Sequence, residues 1–138
     1  MNTVMRRTRS RSGFTLIELL IVMAILAMLA ALVAPALFKN LGKGKQSTAS
    51  SQIALFESAL DSYRLDVGHY PDSLVSLVEN SDDEDGWDGP YLNRTDEVPL
   101  DPWDNEYVYS RVGREYSLKS YGADGVEGGE GEDTDIGR

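Results

Sequence analysis

The sequence predicts an α+β chain in which one long N-terminal α-helix packs on a small C-terminal antiparallel β-hairpin or sheet. Three observations predict it. From Phe14 to Phe38, twenty-five residues run with Glu18 as their only charge. From Ala49 onward, Ala49, Ile53, Phe56, Leu60, Tyr63 and Val67 recur at helical spacing, with Gln52, Glu57, Asp61 and Arg64 interleaved on other faces. Toward the C-terminus, the Tyr-rich, β-prone segments Glu106 to Arg111 and Glu115 to Tyr121 flank Val112-Gly113-Arg114, the pattern of a hairpin with a three-residue turn.

The apolar run is long enough to be a membrane helix. At 1.5 Å per residue it would reach about 38 Å, against a hydrocarbon core of roughly 30 Å. The leader before it, residues 1–13, holds Arg6, Arg7, Arg9 and Arg11 and no acid, so it is expected on the cytoplasmic side. Secretory signals have shorter apolar regions of about 7 to 15 residues and a small-residue cleavage site. Ala34-Pro35-Ala36 mimics such a site, which leaves open a secreted acidic binding module released after Ala36.

Glu18 needs a reason, because an acid in a lipid-facing helix costs on the order of 2.5 to 3.5 kcal/mol at mid-membrane. A local reason is a capping box with Thr15 as the N-cap and Glu18 three positions on. Pro35 removes a helical donor and crowds the preceding turn, predicting a kink or local melting there. The Gly-, Ser- and Thr-rich stretch from Lys39 to Ser51 is a weak helix former, so the amphipathic continuation is placed at 46–67, with Gly68 as its stop.

Beyond the helix, Asp72-Ser73 caps a short helix carrying Leu74, Leu77 and Val78. The acidic stretch 81–89 around Trp87 reads as a solvated loop, and its spacing does not fit an EF-hand. Val98-Pro99-Leu100-Asp101-Pro102-Trp103 cannot be a central strand with two prolines and reads as a rigid connector. The aromatic side of the hairpin is expected to cover the long helix. A ligand-binding stripe of Tyr107, Tyr109, Tyr116 and Tyr121 is the alternative use of those rings.

Composition excludes several classes of function. The net charge is −10, and without the leader 9 basic residues face 23 acidic ones, giving −14, which argues against nucleic-acid binding through a basic surface. Lys39, Lys43 and Lys45, just past the apolar run, read as solvated helix-end residues. No nucleophile–base pair or phosphate loop is visible and His69 is the only histidine, so an enzyme is not expected. Cysteine is absent, so a domain this small must be stapled by something else. One candidate staple is the glycine-punctuated acidic loop from Gly122 to Asp135, in which several oxygens can converge on a hard cation; the solvated-tail reading stands beside it.

A basic leader ending in Gly13, followed by Phe14-Thr15-Leu16-Ile17-Glu18-Leu19-Leu20, resembles the class III signal of type IV pilins and type II secretion pseudopilins. Tyr63-Arg64-Leu65-Asp66-x-Gly68-x-Tyr70-Pro71, Gly89-Pro90-Tyr91-Leu92, Val98-Pro99-x-Asp101-Pro102-Trp103 and Ser120-Tyr121-Gly122-Ala123-Asp124-Gly125 narrow the resemblance to the major pseudopilins of type II secretion. The order and spacing of these motifs extend the similarity over nearly the whole chain. Two departures stand out: the Thr-x-x-Gln-Gly-Leu pattern is missing after Pro71, and Ile136-Gly137-Arg138 stands without the family's Asn-Trp ending.

The resemblance implies a pilin-like fold with three parts: a leader over 1–13, a transmembrane and polymerisation helix over 14–38, and a periplasmic domain over 39–138. Within that domain it places a short helix and acidic loop at 72–97, a hairpin at 106–121 and a metal loop at 121–136. It implies cleavage by a prepilin peptidase between Gly13 and Phe14, N-methylation of Phe14, and pairing of Glu18 with the α-amine of Phe14 on an adjacent subunit. It implies calcium held by Asp124 and Asp135 with carbonyls near Tyr121 and Val126; Asp133 is a further, local candidate. The implied partners are copies of the same chain in a homopolymer, minor pseudopilins, the inner-membrane assembly platform and the membrane itself, with no nucleic acid. The implied location is the bacterial inner membrane, single-pass, with the C-terminal domain in the periplasm. A type IV pilin for adhesion or DNA uptake shares the N-terminus and is the alternative reading.

Overall fold

The computed structural model describes residues 13–93 and 96–138; the arginines of the expected leader lie outside the described residues, as do Arg94 and Thr95 in the segment after the acidic loop. The chain divides into two compact units between Phe38 and Lys39. Helix α1, Leu16–Val67, contributes to both.

In the first unit, α1 is apolar and exposed all round. It is long and apolar enough to cross a membrane, and none of its most apolar window is buried within the chain. The local melting expected at Pro35 is not seen, since α1 runs through it. A proline deletes one backbone bond of the ladder, and its Ala- and Leu-rich neighbours are strong helix formers that carry the rest.

The weak-helix stretch from Lys39 to Lys45, expected to lie outside the continuation at 46–67, is also helical. Tertiary contacts within the second unit account for this. The Gln46 amide donates to the Gly131 carbonyl, the Lys45 ammonium lies 5.9 Å from the Trp103 ring centre, and Glu132 packs against Gly42. The hydroxyls also work with the helix rather than against it. Thr48, Ser50, Ser51 and Ser62 each donate to the carbonyl four residues earlier, at 2.9–3.0 Å, instead of competing for backbone N–H groups.

The second unit packs on one face of α1. Ala49, Ile53, Phe56, Leu60 and Tyr63 are buried as the spacing predicted, joined by Ala59, while Val67 is half-buried. A one-turn 3-10 helix, Leu74–Leu77, lies against them, capped by Ser73, whose Oγ accepts from the Val75 N–H. Three antiparallel strands follow in the order β1 (Val108–Val112), β2 (Glu115–Ser120) and β3 (Ile136–Gly137). Val112 pairs with Glu115, so the hairpin turn is the two residues Gly113-Arg114 rather than three. Gly113 sits at φ +64, as the first position of a II′ turn requires. Strand β3 was not foreseen; the Leu118 and Arg138 backbones exchange two 2.9 Å bonds there, which gives the final residues a place in the sheet.

Aromatic rings join sheet to helix. Tyr107 stands edge-on to Phe56 at 5.0 Å and donates to the Gln52 side-chain Oε1 at 2.6 Å; Tyr116 meets Tyr70 at 4.7 Å; Tyr109 donates to the Pro71 backbone carbonyl at 2.7 Å. Trp103 also lies on α1, beside Lys45 at the start of its soluble part. The acidic loop is more ordered at its base than a solvated run would be. Trp87 Nε1 donates to the Ser76 carbonyl at 2.7 Å, Ser76 Oγ donates to Asp82 at 2.7 Å, and Asn80 brackets Glu84 with two bonds.

These buried phenols give the fold an alkaline limit. Burial, then Glu84 and Asp82, hold Tyr63 up to about 12, and burial pushes Tyr107 and Tyr109 higher still. A raised folded pKa contributes stability that is intact below the unfolded value of about 10 and is lost as pH climbs through the folded value. The unfolding midpoint of a Lys39–Arg138 fragment should therefore fall steeply above about pH 10. Tyrosinate absorbance from these rings should rise only as the fragment unfolds; full ionisation near pH 10 in a folded fragment would contradict this.

Candidate functional site

Two places carry the residues singled out from the sequence. The first is the start of α1. Thr15 precedes the helix, and its Oγ1 accepts from the Glu18 N–H at 3.3 Å, which is one half of the expected capping box. The reciprocal half is missing. The Glu18 carboxylate is exposed and has no partner among the described residues, so capping by the Thr15 hydroxyl does not use up its charge. Phe14, next to it, is 77% exposed, leaving both the apolar ring and the acid on open surface.

The second is the loop from Tyr121 to Asp135. It curls on itself: the Ala123 N–H donates to the Glu132 carbonyl at 3.0 Å, and the Gly128 N–H donates to Asp135 Oδ1 at 2.9 Å. Asp124 Oδ1 accepts from the Val126 N–H at 3.1 Å. Glycine is required where the two arms touch. Gly122, at φ +71, would place a Cβ 2.5 Å from the Glu132 carbonyl oxygen, and any side chain there would open the curl. Asp135, Asp133 and Tyr121 are half-buried, while Asp124 and Val126 are exposed.

This loop rests on a polar hub that the sequence reading treated only as a connector. Asp101 is 3% exposed. Its Oδ1 accepts from the Trp103 and Asn105 N–H groups at 3.0 and 2.9 Å, and its Oδ2 accepts from Ser120 Oγ at 2.5 Å. Ser120 Oγ in turn accepts from the Gly122 N–H, and Asn105 Nδ2 donates to the Gly122 carbonyl at 2.9 Å. Asp101 thus fixes both ends of the residue where the loop begins. The Asp101-Pro102 step was the available signal, since an Asp followed by a turn commonly bonds backbone N–H groups ahead of it.

The site chemistry is oxygen-only: carboxylates and carbonyls, without nitrogen or sulfur ligands in the loop, which suits a hard cation. Among the described residues, no three acidic or histidine side chains converge, so a cation held here must draw on carbonyls as well as carboxylates. Asp124 and Asp135, the two carboxylates singled out from the sequence, each accept a backbone N–H of this curled loop, from Val126 and Gly128.

Residues 36–138 match the sequence profile of type II secretion system (T2SS) protein G. The chain belongs to that family. Residues 8–34 of this protein G chain match the prokaryotic N-terminal methylation motif, so the apolar helix and its leader junction carry a signature of their own. The chain is 39% identical over 141 residues to type II secretion system core protein G of Vibrio cholerae, covering 96% of this chain and 94% of that one. It is 40% identical over 139 residues to the Pseudomonas aeruginosa protein of the same name, covering 94% and 95%. The crystal structure of the major pseudopilin from the type 2 secretion system of enterohaemorrhagic Escherichia coli superposes with a TM-score of 0.54 at 32% identity, covering 73% of this chain and 91% of that one. The long helix on a three-stranded antiparallel sheet is therefore the pseudopilin fold, and the family is one of structural subunits rather than enzymes.

Proposed function

We propose that this chain is the structural subunit of a periplasmic T2SS pseudopilus, a homopolymer that drives protein export across the outer membrane. In this reading a prepilin peptidase cuts between Gly13 and Phe14, the new Phe14 amine is methylated, and the apolar part of α1 anchors the chain in the inner membrane until it polymerises. Minor pseudopilins and the inner-membrane platform are its assembly partners, and its role is mechanical rather than enzymatic. The observation that carries the reading is an exposed apolar helix that opens on a carboxylate without a partner among the described residues and bears the methylation motif. Two measurements test it: the N-terminal mass of the membrane-extracted protein and the secretion of exported enzymes by cells lacking it. A chain beginning at N-methyl-Phe14, together with loss of secretion, is expected; a start at Leu37 with normal secretion would discard the reading.

Calcium completes the proposal. Asp124 and Asp135 would hold it with the Tyr121 and Val126 carbonyls, and Asp133 stands close enough in sequence to assist. The ion would supply a charged anchor that lets the acidic arms of the loop lie together. The chain's own residues do the positioning: Asp101 fixes the loop's start, and the Gly128 N–H steers the Asp135 carboxylate. Chelation should lower the melting temperature of a Lys39–Arg138 fragment by several degrees, since a ligand at 100 times its Kd adds about 2.7 kcal/mol. Asp124→Ala should erase the difference between calcium and chelator. Equal melting of the unsubstituted fragment in both would remove the site.

A further inference from the structure

The soluble part of α1 begins without a core beneath it. Between Phe38 and Ala49 no apolar side chain is buried; Gly42 is buried, Gln46 is half-buried, and every other residue is exposed. The buried stripe starts only at Ala49. This stretch also holds Gly42 and Gly44, each of which lowers a local helix–coil equilibrium about fivefold relative to alanine. Residues 39–48 thus form a helix that their own side chains hold weakly. Such an element opens locally while the rest of a domain stays folded.

What covers it is the glycine loop, through one turn of 3-10 helix, Gly131–Asp133. The Gln46 amide donates to the Gly131 carbonyl, and the Glu132 side chain lies over Gly42, where a Cβ would stand 2.5 Å from its carboxyl carbon. Trp103 completes the cover: its Nε1 donates to Glu132 Oε2 at 3.4 Å while its ring centre lies 5.9 Å from the Lys45 ammonium. The same turn closes the loop on itself. The Glu132 carbonyl accepts from the Ala123 N–H at 3.0 Å, and the Gly131 carbonyl accepts from the Thr134 N–H at 3.4 Å. Glu132 therefore faces two ways, its side chain on the helix and its backbone on the arm that carries Asp124.

We propose that the glycine loop is a splint for residues 39–48 of α1, and that order in the loop and helix in this stretch are coupled. A disordered turn cannot offer the Gly131 carbonyl and the Glu132 side chain to the helix at a fixed spacing. An unwound helix cannot hold Gly42 and Gln46 one turn apart to receive them. Whatever orders one therefore favours the other, and by the same factor. The two-state element is the weak helix, and both sides bias it through the contacts just named. Calcium in the loop would then act on the helix without touching it, and would set how firmly the residues just past the apolar run stay helical. That last step rests on the calcium reading; the splint itself does not.

Amide hydrogen exchange of the full-length chain in detergent micelles follows both segments at once. Gly44→Ala is the decisive variant, because a Cβ there meets nothing within 4 Å and strengthens the helix without touching the loop. The amides of residues 39–48 should slow by up to about fivefold, and those of Ala123 and Gly128 in the loop should slow with them by about twofold or more. Unchanged exchange in the loop overturns the coupling. In the other direction, Glu132→Ala should speed exchange over residues 39–48 by about fivefold or more and leave Ile53 to Tyr63 unchanged, whereas Glu132→Gln, which keeps the shape of the side chain, should stay near the original rate. Protection of residues 39–48 that survives Glu132→Ala overturns the splint, and so does a loss that spreads equally to Ile53 to Tyr63. Added calcium, compared with a chelator, separates the two readings. Slowing of both segments is the expected result. Calcium that slows the loop alone overturns the splint and keeps the site; calcium that slows neither, with the variants behaving as above, overturns the site and keeps the splint.

Discussion

Asp101→Ala should destabilise the soluble unit by about 3–5 kcal/mol, a large share of the 5–15 kcal/mol that holds a typical domain together. The carboxylate is buried and serves three donors: two backbone N–H groups and the Ser120 hydroxyl. Alanine leaves all three without an acceptor in a place water does not reach. Asp101→Asn should cost much less, about 1–2 kcal/mol, because its carbonyl can still take the two N–H bonds while its amide faces Ser120. Urea unfolding of Lys39–Arg138 fragments measures both. The effect should spread to the glycine loop, because Ser120 and Asn105 carry the hub's geometry to Gly122. Asp101→Ala should therefore also weaken any calcium binding at the proposed loop site without touching a proposed ligand. Equal losses for Ala and Asn would show that the charge, rather than the acceptor geometry, matters.

Glu18→Ala should abolish polymer while leaving the soluble unit's melting temperature unchanged. The carboxylate has no partner among the described residues, and the helix around it is exposed and apolar. In the proposed filament copies would pack together away from water, and the α-amine that the proposed cleavage would expose at Phe14 would need a counter-charge. Leaving a charge uncompensated in such surroundings costs about 2.5–3.5 kcal/mol, which corresponds to roughly a 10²-fold weaker addition of every copy. Because the penalty recurs at each step, a modest loss per contact becomes failure to form a filament. Glu18→Gln keeps the side chain's size and should fail as well. Sedimentable polymer at normal yield from either variant would show that Glu18 serves only the helix start.

The sequence exposed those parts of the molecule in which one physical demand acts alone. Burial of Ile53, Phe56, Leu60 and Tyr63 follows from helical spacing, and the hairpin follows from two β-prone runs around Gly113. Where two demands compete, the residues alone misled. Pro35 and the Gly- and Ser-rich stretch after it have poor intrinsic helix propensity, yet α1 persists through both, the latter held by Gln46, Lys45 and Gly42 contacting distant residues. Strand β3 was illegible because two residues carry no periodicity; it exists only because β2 offers them an edge. The glycine loop was visible as composition, but its anchor was not. Asp101 lies twenty-one residues before Gly122, and only the fold brings them together.

The hydroxyls of Thr48, Ser50, Ser51 and Ser62 have a consequence beyond their own turns. Each is already bonded to a carbonyl of its own helix, so these side chains demand little hydration. A surface of this kind can leave water and lie against another protein without stranding donors, and without needing a matched acceptor at any one spot. This part of α1 can thus be dehydrated cheaply and in more than one alignment.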